Sequence, residues 1–438
     1  MEPTTVGFIG VGILVILLFS GLHIGVVMTL IGFLGMAYLS GWPAGLGILK
    51  TVPFATFNTY AYDFSVIPLF VLMGEFCYYG NISSDLYGAA HKIMGSLRGG
   101  LAMATIGACA AFAAVSGSSV ATAATMTTVA LPEMRKHKYN MGLATGTLAA
   151  GGTIGILIPP SVIMVVYGMI TQTSIGKLFL AGFIPGLLQA AMFIAMIAFL
   201  CWRNPSLGPA AEKSTFMEKI KGLKNTWIVI MLFLLVIGGI YLGVFSPTEG
   251  AAVGASCAML FALARKKLGW KQITSSLIET VKTSGMIFFI LVGALILGYF
   301  FAVTRLPSEI ASMVAGLALN RYLIFAGIII LYLFLGCILD SLAMILLTVP
   351  ILFPLMCGAN GLGFDPVWFG IMIVIVVEMG LITPPVGMNV FVIKGMASDV
   401  PTYTIFKGIV PFLYVDLLEI VILTVFPIIV MWLPQTFK

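Results

Sequence analysis

Gly380-Leu381-Ile382-Thr383-Pro384-Pro385-Val386-Gly387 breaks an apolar stretch that runs from 366 to 394. A near copy, Gly151-Gly152-Thr153-Ile154-Gly155-Ile156-Leu157-Ile158-Pro159-Pro160, breaks the stretch from 138 to 171. A Pro-Pro pair cannot continue a helical hydrogen-bond ladder, and the residue before each proline is pushed out of the helical region. Each stretch therefore reads as one span interrupted in its middle. The copies keep one spacing with their surroundings. Pro159 and Pro384 are 225 positions apart, Ser116 and Ser341 are 225 apart, and Pro185 (in Phe183-Ile184-Pro185) and Pro411 (in Ile409-Val410-Pro411) are 226 apart. Three ordered landmarks at one offset identify an internal repeat.

The setting of these stretches is a membrane. Hydrophobic residues make up 60% of the 438 and charged residues only 9%. Soluble domains carry about a quarter charged residues, and no soluble core of this length hides so much apolar surface. Apolar runs of spanning length occur near 6–22, 24–40, 64–80, 138–171, 174–202, 225–245, 249–265, 283–304 and 408–433. The runs are continuous rather than alternating, so they are helical and not the strands of an outer-membrane barrel. The net charge of +6 is not gathered into a basic face, which excludes a nucleic-acid binder. Six cysteines (77, 109, 201, 257, 337 and 357) are scattered and mostly apolar in setting, so they read as core residues rather than a disulfide framework. Met1 to Thr5 hold no basic residue before the first apolar run, so no cleaved signal peptide is expected.

Charge sets the orientation. If 81–98, 133–140, 203–224, 265–282 and 394–407 face the cytoplasm, they collect 17 of the 22 Lys and Arg. Both termini then lie outside. Arg98 and Arg135 lie on one side, yet 99–132 between them is apolar, so that segment enters from the cytoplasm and returns. Its middle is the turn-forming cluster Val115-Ser116-Gly117-Ser118-Ser119. By the same logic 322–356 enters from outside, with Cys337-Ile338-Leu339-Asp340-Ser341 at its middle. Irregular backbone at membrane depth is tolerated only inside protein or beside a watery cavity. The expected fold is all-α and polytopic, with inverted repeats, two re-entrant hairpins and two broken helices. The expected division is 1–63 (scaffold helices), 64–202 (first repeat), 203–282 (linking helices and cytoplasmic loops) and 283–438 (second repeat). Inverted repeats with helices broken at the midplane mark secondary transporters.

Two constellations offer chemistry. The first joins Ser116, Gly117, Ser118 and Ser119 to Gly152 and Thr153. Freed carbonyls and hydroxyls there are hard neutral ligands suited to Na⁺, and free N–H groups at the next half-helix suit an anion. The bland alternative is that small residues simply allow close packing. The second joins Asp340 and Ser341 to Gly380, Thr383, Pro384, Pro385, Gly387 and Asn389. An acid at membrane depth is a functional candidate; Asp340 is equally suited to capping the second hairpin leg. Asn389 is an ion or substrate contact, or an interhelical hydrogen bond. Glu249 reads as a first-turn acid facing the helix dipole, while the roles of Glu75 and Glu378 stay open. Asp416 and Glu419 share a helix face and call for a basic partner elsewhere. His23, His91 and His137 have no metal-ligand spacing, and no HExxH, GxSxG or P-loop pattern occurs. The segment 83–97 reads as an interfacial arm.

Ser116-Gly117-Ser118-Ser119-Val120-Ala121-Thr122, Leu157-Ile158-Pro159-Pro160-Ser161, Pro247-Thr248-Glu249 and Gly380 through Asn389 together resemble one family over essentially the whole chain. It is the large membrane (M) subunit of tripartite ATP-independent periplasmic (TRAP) transporters, the DctM-like permeases. The resemblance implies a bacterial inner-membrane protein of the elevator-type superfamily, not an enzyme, that imports an organic acid by symport with Na⁺. It implies a periplasmic substrate-binding (P) protein and a small membrane (Q) subunit as partners. It places one Na⁺ at the first tip and break (Ser116, Gly117, Ser118, Ser119, Gly152, Thr153). A second falls at the second tip and break (Asp340, Ser341, Gly380, Thr383, Gly387). Substrate would lie between the tips, near Ser119, Pro159, Pro160, Ser161, Pro384, Pro385 and Asn389. The family takes C4-dicarboxylates, sialic acids and other acids, and the spans show no clear Arg to clamp a carboxylate. A stand-alone carboxylate symporter or Na⁺/H⁺ antiporter of similar architecture is the alternative. A membrane enzyme lacks its motifs here, and a channel fits sealed hairpin tips less well.

Overall fold

The computed structural model describes residues 1–438 apart from 60, 213, 317–318, 338, 359–360 and 437–438. Lys213 and Lys438 of the charge count, and Ile338 of the second tip, lie outside the described residues.

The chain opens with α1 (Pro3–Phe19), α2 (Ile24–Ser40), α3 (Trp42–Thr59), α4 (Ala61–Phe64) and α5 (Val66–Tyr79). An arm helix α6 (Ile82–Met94) leads to the first hairpin, α7 (Gly100–Ser116) and α8 (Ser119–Lys136). The first broken helix follows as α9 (Met141–Leu157) and α10 (Val162–Thr171), then the long α11 (Ile175–Arg203). The link between repeats holds α12 (Phe216–Asn225), α13 (Trp227–Phe233), a π turn (Leu234–Gly238), α14 (Gly239–Tyr241) and α15 (Pro247–Ala264). The 35-residue α16 (Trp270–Thr304) and α17 (Leu306–Gly316) precede the second hairpin, α18 (Arg321–Gly336) and α19 (Ser341–Cys357). The second broken helix is α20 (Pro366–Gly380) and α21 (Met388–Met396), followed by α22 (Thr402–Val425) and α23 (Ile428–Thr436). Among the described residues five helices are long and apolar enough to cross a membrane, or up to seven if each bent pair is one span.

Hairpin, broken helix and long helix thus recur in the same order. The repeat extends to the caps. Asn140 accepts from the N–H groups of Gly142 and Leu143, and Asp365, again 225 positions on, accepts from those of Val367 and Trp368. Such caps supply partners for helix-end donors and are worth about 1 kcal/mol each. Glu249 forms a capping box with Ser246, in keeping with its place in the first turn of α15.

The first halves of the broken helices form the centre. Every residue of α9 from Gly142 to Leu157 is buried, as is every residue of α20 from Val367 to Gly380. Gly, Ala and Thr in α9 let neighbours approach closely; Gly142 and Gly146 lie in backbone contact with Gly408 of α22. α6 buries Ile82, Leu86, Tyr87 and Ala89 and packs on α7 and α12. Its Asp85 pairs with Arg265. The predicted interfacial arm is therefore a helix whose apolar face lies against protein.

Apolar runs pass over α3 and α17. Lys50 and Pro53 interrupt the first, and Pro307, Ser308 and Glu309 dilute the second. The polar part of α16, from Trp270 to Lys282, is likewise invisible to hydropathy, although it is helical. Arg135 at the end of α8 pairs with Asp399, after α21, at 2.6 Å, with both side chains exposed. The guanidinium holds the Asp399 carboxyl below the usual carboxylate range. Its contribution is present above the unfolded carboxyl's pKa and is lost only as pH falls through the folded value. Exposed pairs contribute little. Asp399→Asn is therefore expected to leave the thermal midpoint at pH 7 unchanged, as differential scanning fluorimetry would read it; a clear fall would show that the pair holds the hairpin in place.

Candidate functional site

The first tip is built by a left-handed glycine between two helices. Gly117 caps α7 with a φ of +63°, a conformation that side chains disfavour. A Cβ there would also stand 2.9 Å from the carbonyl oxygen of Pro160, so the tip rests on the first break. Ser118 caps α8 by accepting from the N–H of Ala121 at 3.3 Å. The Ser116 hydroxyl donates to the Ser118 carbonyl at 3.4 Å and accepts from Thr122 at 3.2 Å. Ser119 begins α8 and is buried.

The first break bends the chain by 43° between α9 and α10. Its Pro159–Pro160 bond is cis, as is Pro384–Pro385 in the second break. Ser161 caps α10 by accepting from the N–H of Met164 at 3.4 Å. Pro159, Pro160 and Ser161 are all buried. The Thr153 hydroxyl donates within its own helix to Ala150 at 2.7 Å.

At the second tip Asp340 caps α19, its carboxylate accepting from the N–H of Ala343 at 2.7 Å. The capping role is thus realised. The Cys337 thiol reaches the Pro384 carbonyl at 3.1 Å, which ties tip to break. Gly380 and Gly336 meet backbone to backbone. The Thr383 hydroxyl donates to Met379 at 2.7 Å. Gly387 takes a φ of +66° to turn the chain into α21. Pro384 and Pro385 are exposed, in contrast to the sealed first break.

One carboxylate connects the two tips. Glu378, fully buried near the end of α20, accepts from the Ser341 hydroxyl at 2.9 Å. The side chain of Ser119, from the other hairpin, interacts with the same group. Its Oε2 has no partner. Asn389, fully buried at the start of α21, has neither amide atom paired. A Cβ on Gly152 would stand 3.1 Å from the Asn389 amide nitrogen and 3.2 Å from the Ser119 carbonyl oxygen. The structure therefore brings Ser119 and Ser341 to Glu378, and sets Asn389 beside Gly152 and the Ser119 carbonyl. Thr153 turns its hydroxyl back onto its own helix, and Thr383, just past α20, turns its hydroxyl onto that helix's last turn. Unpaired buried polar atoms cost about 1–3 kcal/mol each, which sets Glu378 and Asn389 apart from the apolar residues around them. The cavity of about 590 Å³ bounded by Asp63, Gly168, Thr173, Ser246 and Leu291 lies elsewhere and touches neither tip.

Residues 11–429 match the family "Tripartite ATP-independent periplasmic transporter, DctM component". The chain belongs to that family. It is 36% identical to the C4-dicarboxylate TRAP transporter large permease protein DctM of Pseudomonas aeruginosa, over 85% of this chain and 86% of the relative. It is 34% identical to the sialic acid TRAP transporter large permease protein SiaM of Vibrio cholerae, over 85% and 86%. The Alcanivorax borkumensis YdaH transporter shares the fold, with a TM-score of 0.59 and 14% identity over 89% of each chain. This DctM component is thus a multi-pass large permease subunit of a TRAP transporter.

Two features of the DctM component escape the sequence. The role of Glu378 is open there because its partners come from hairpins 37 and more than 250 positions away. Among the described residues Asp416 has no basic partner. It pairs instead with neutral Gln189, whose amide nitrogen donates to it at 2.9 Å, and Glu419 has no hydrogen-bond partner. The signal in the sequence is Gln189 itself, a polar residue inside an apolar span.

Proposed function

We propose that this DctM component is the transporting subunit of a Na⁺-coupled importer of an organic acid. The observation that carries the reading is that Glu378 accepts from the second tip and lies by Ser119 of the first, while the unpaired Asn389 of the second break faces Gly152 of the first. The donor set fits Na⁺: a buried carboxylate oxygen and an amide oxygen lie unpaired among hydroxyls and carbonyls. Ser116, Gly117, Ser118, Ser119, Gly152 and Thr153 would hold one ion. Asp340, Ser341, Gly380, Thr383 and Gly387 would hold the other. Bound Na⁺ supplies the positive charge that a carboxylate substrate needs where no Arg is present. The Asn389 amide nitrogen and the N-termini of α8 and α10 supply neutral donors.

The relatives' names make C4-dicarboxylates and sialic acids the first acids to try. Family membership supports two partners, a periplasmic binding protein that delivers the acid and a small membrane subunit beside this one. The hairpins and broken helices pack on one another and on α6, α11 and α22, whereas α2 packs on α16 and α5 on α15. That division suits an elevator, in which the first group moves as a body against the second. Backbone passes closely where they meet, with Gly74 of α5 facing the Val115 and Ser116 carbonyls.

The test is uptake in proteoliposomes with the partners present. Ser118→Ala and Asp340→Ala are each expected to lower Na⁺-dependent uptake about tenfold, the equivalent of one lost ligand or cap, while membrane insertion persists. Normal uptake with unchanged Na⁺ dependence in both variants would sink the assigned ion sites.

A further inference from the structure

Asp416 and Glu419 lie one turn apart on α22, and both are fully buried. Gln189 of α11, 2% exposed, points its amide into them and donates its N–H to Asp416 at 2.9 Å. It stands four residues after Pro185, and Asp416 stands five after Pro411, so the cluster forms where matching points of the two repeats meet. Four oxygens remain unpaired there: Gln189 Oε1, Asp416 Oδ2 and both oxygens of Glu419. All are acceptors. What is missing is a donor or a positive charge.

Among the described residues no side chain supplies it. The helices packed on α22 are α9, α11, α20, α21 and α23. α9 and α23 hold no charged residue, and α20 holds only Glu378. Lys394 of α21 is committed to the Ser398 and Val400 carbonyls. Lys177 and Arg203 of α11 lie about 18 and 21 Å along the helix from Gln189, and Lys407 about 14 Å from Asp416. The other titratable groups on these helices are Cys201, Tyr403 and Tyr414, and the two tyrosines are exposed. Two unpaired carboxylates in so dry a place cost far more than one carboxylate beside a neutral acid.

We propose that Asp416 and Glu419, aligned by Gln189, form a proton-binding site inside the membrane body, separate from the hairpin tips. One proton from water bonds to a carboxylate oxygen and is shared between the two groups. It turns one of the four acceptors into a donor and removes one of the two buried charges. A proton suits the place better than a metal ion. The cavity bounded by Asp63, Ser246 and Leu291 does not reach these residues, and no group of three His, Cys, Asp or Glu among the described residues is arranged to hold a metal. The site stands whether or not the tips bind Na⁺.

The test is the thermal midpoint of the purified full chain at saturating Na⁺ across about pH 5–9. A folded state that alone keeps the proton loses stability as pH rises, so the wild-type midpoint is expected to fall toward alkaline pH. In a Glu378→Gln background, which removes the other buried acid, the fall should be shallower with Glu419→Gln and lost with Asp416→Asn/Glu419→Gln, whose amides carry no titrating proton. The midpoint gain on adding Na⁺ at high pH should be the same in wild type and double variant. Equal pH slopes with and without the two substitutions in that background would overturn the site, and loss of the Na⁺ gain in the double variant would replace the proton by Na⁺. Infrared spectroscopy keeps the test open if that variant fails to fold. A protonated-carboxyl stretch is expected at pH 7 in Glu378→Gln, vanishing on alkaline titration, and its absence would also overturn the proposal.

Discussion

Glu378→Ala is expected to slow uptake about thirtyfold. The carboxylate accepts from Ser341 of the second hairpin and lies within electrostatic reach of Ser119 in the first. Truncation leaves the buried Ser341 hydroxyl without that acceptor. At about 1–3 kcal/mol for an unpaired group, the middle of that range, about 2 kcal/mol, corresponds to about thirtyfold. Glu378→Gln separates two roles. It keeps an acceptor and the volume but removes the charge. If Glu378 only ties the tips together, the glutamine variant should transport nearly normally. If its Oε2 also holds Na⁺, half-maximal uptake should need about tenfold more Na⁺. Initial rates in proteoliposomes over a Na⁺ series distinguish the two. Wild-type kinetics in Glu378→Ala would remove this residue from the site.

The second large effect is on stability. Gly408 of α22 lies against the backbone of Gly142 and Gly146 in α9, and a Cβ at 408 would collide with the Gly142 carbonyl. Backbone cannot rotate away as a side chain can. Overpacking usually costs about 1–3 kcal/mol, and a collision with main chain belongs at the top of that range. Gly408→Ala is therefore expected to lose about 3 kcal/mol, seen as a lower thermal midpoint and a poorer yield of monodisperse protein. Gly298, inside α16, has nothing within 4 Å of the point where a Cβ would stand. Gly298→Ala should be neutral or stabilise by up to about 1 kcal/mol, since alanine is the better helix former. Equal behaviour of the two variants would show that α9 and α22 do not pack as described.

Much of this architecture is legible without coordinates, because a membrane penalises every irregularity. A Pro-Pro pair in an apolar run has few explanations, and Ser-Gly-Ser-Ser between two basic segments must turn back. Those constraints are local, and the structure reproduces them in the cap at Ser118, the turn at Gly117 and the break after Leu157. The rest depends on partners far away in sequence. Hydropathy sees α3, α17 and the first turns of α16 only as polar gaps, although helices there keep their backbone bonds while exposing mixed faces. The sequence marks Glu378 as an acid at depth but not as a tie between hairpins. It marks Asp416 as needing a partner, and suggests a base where the fold provides an amide. Asp340 shows the remaining limit: an acid suited both to capping and to ligating a cation is seen capping, and capping does not exhaust its oxygens.

The central claim is ion-coupled uptake by a permease whose cation sites lie between two hairpins and two breaks. Its most direct measurement is accumulation of radiolabelled succinate and, separately, a radiolabelled sialic acid in proteoliposomes. These would hold this DctM component with its small membrane subunit and binding protein. An inward Na⁺ gradient is compared with an equal K⁺ gradient. The account predicts that the acid carried by the binding protein accumulates under Na⁺ alone, and that Ser118→Ala weakens the effect. Equal accumulation under both gradients would contradict it.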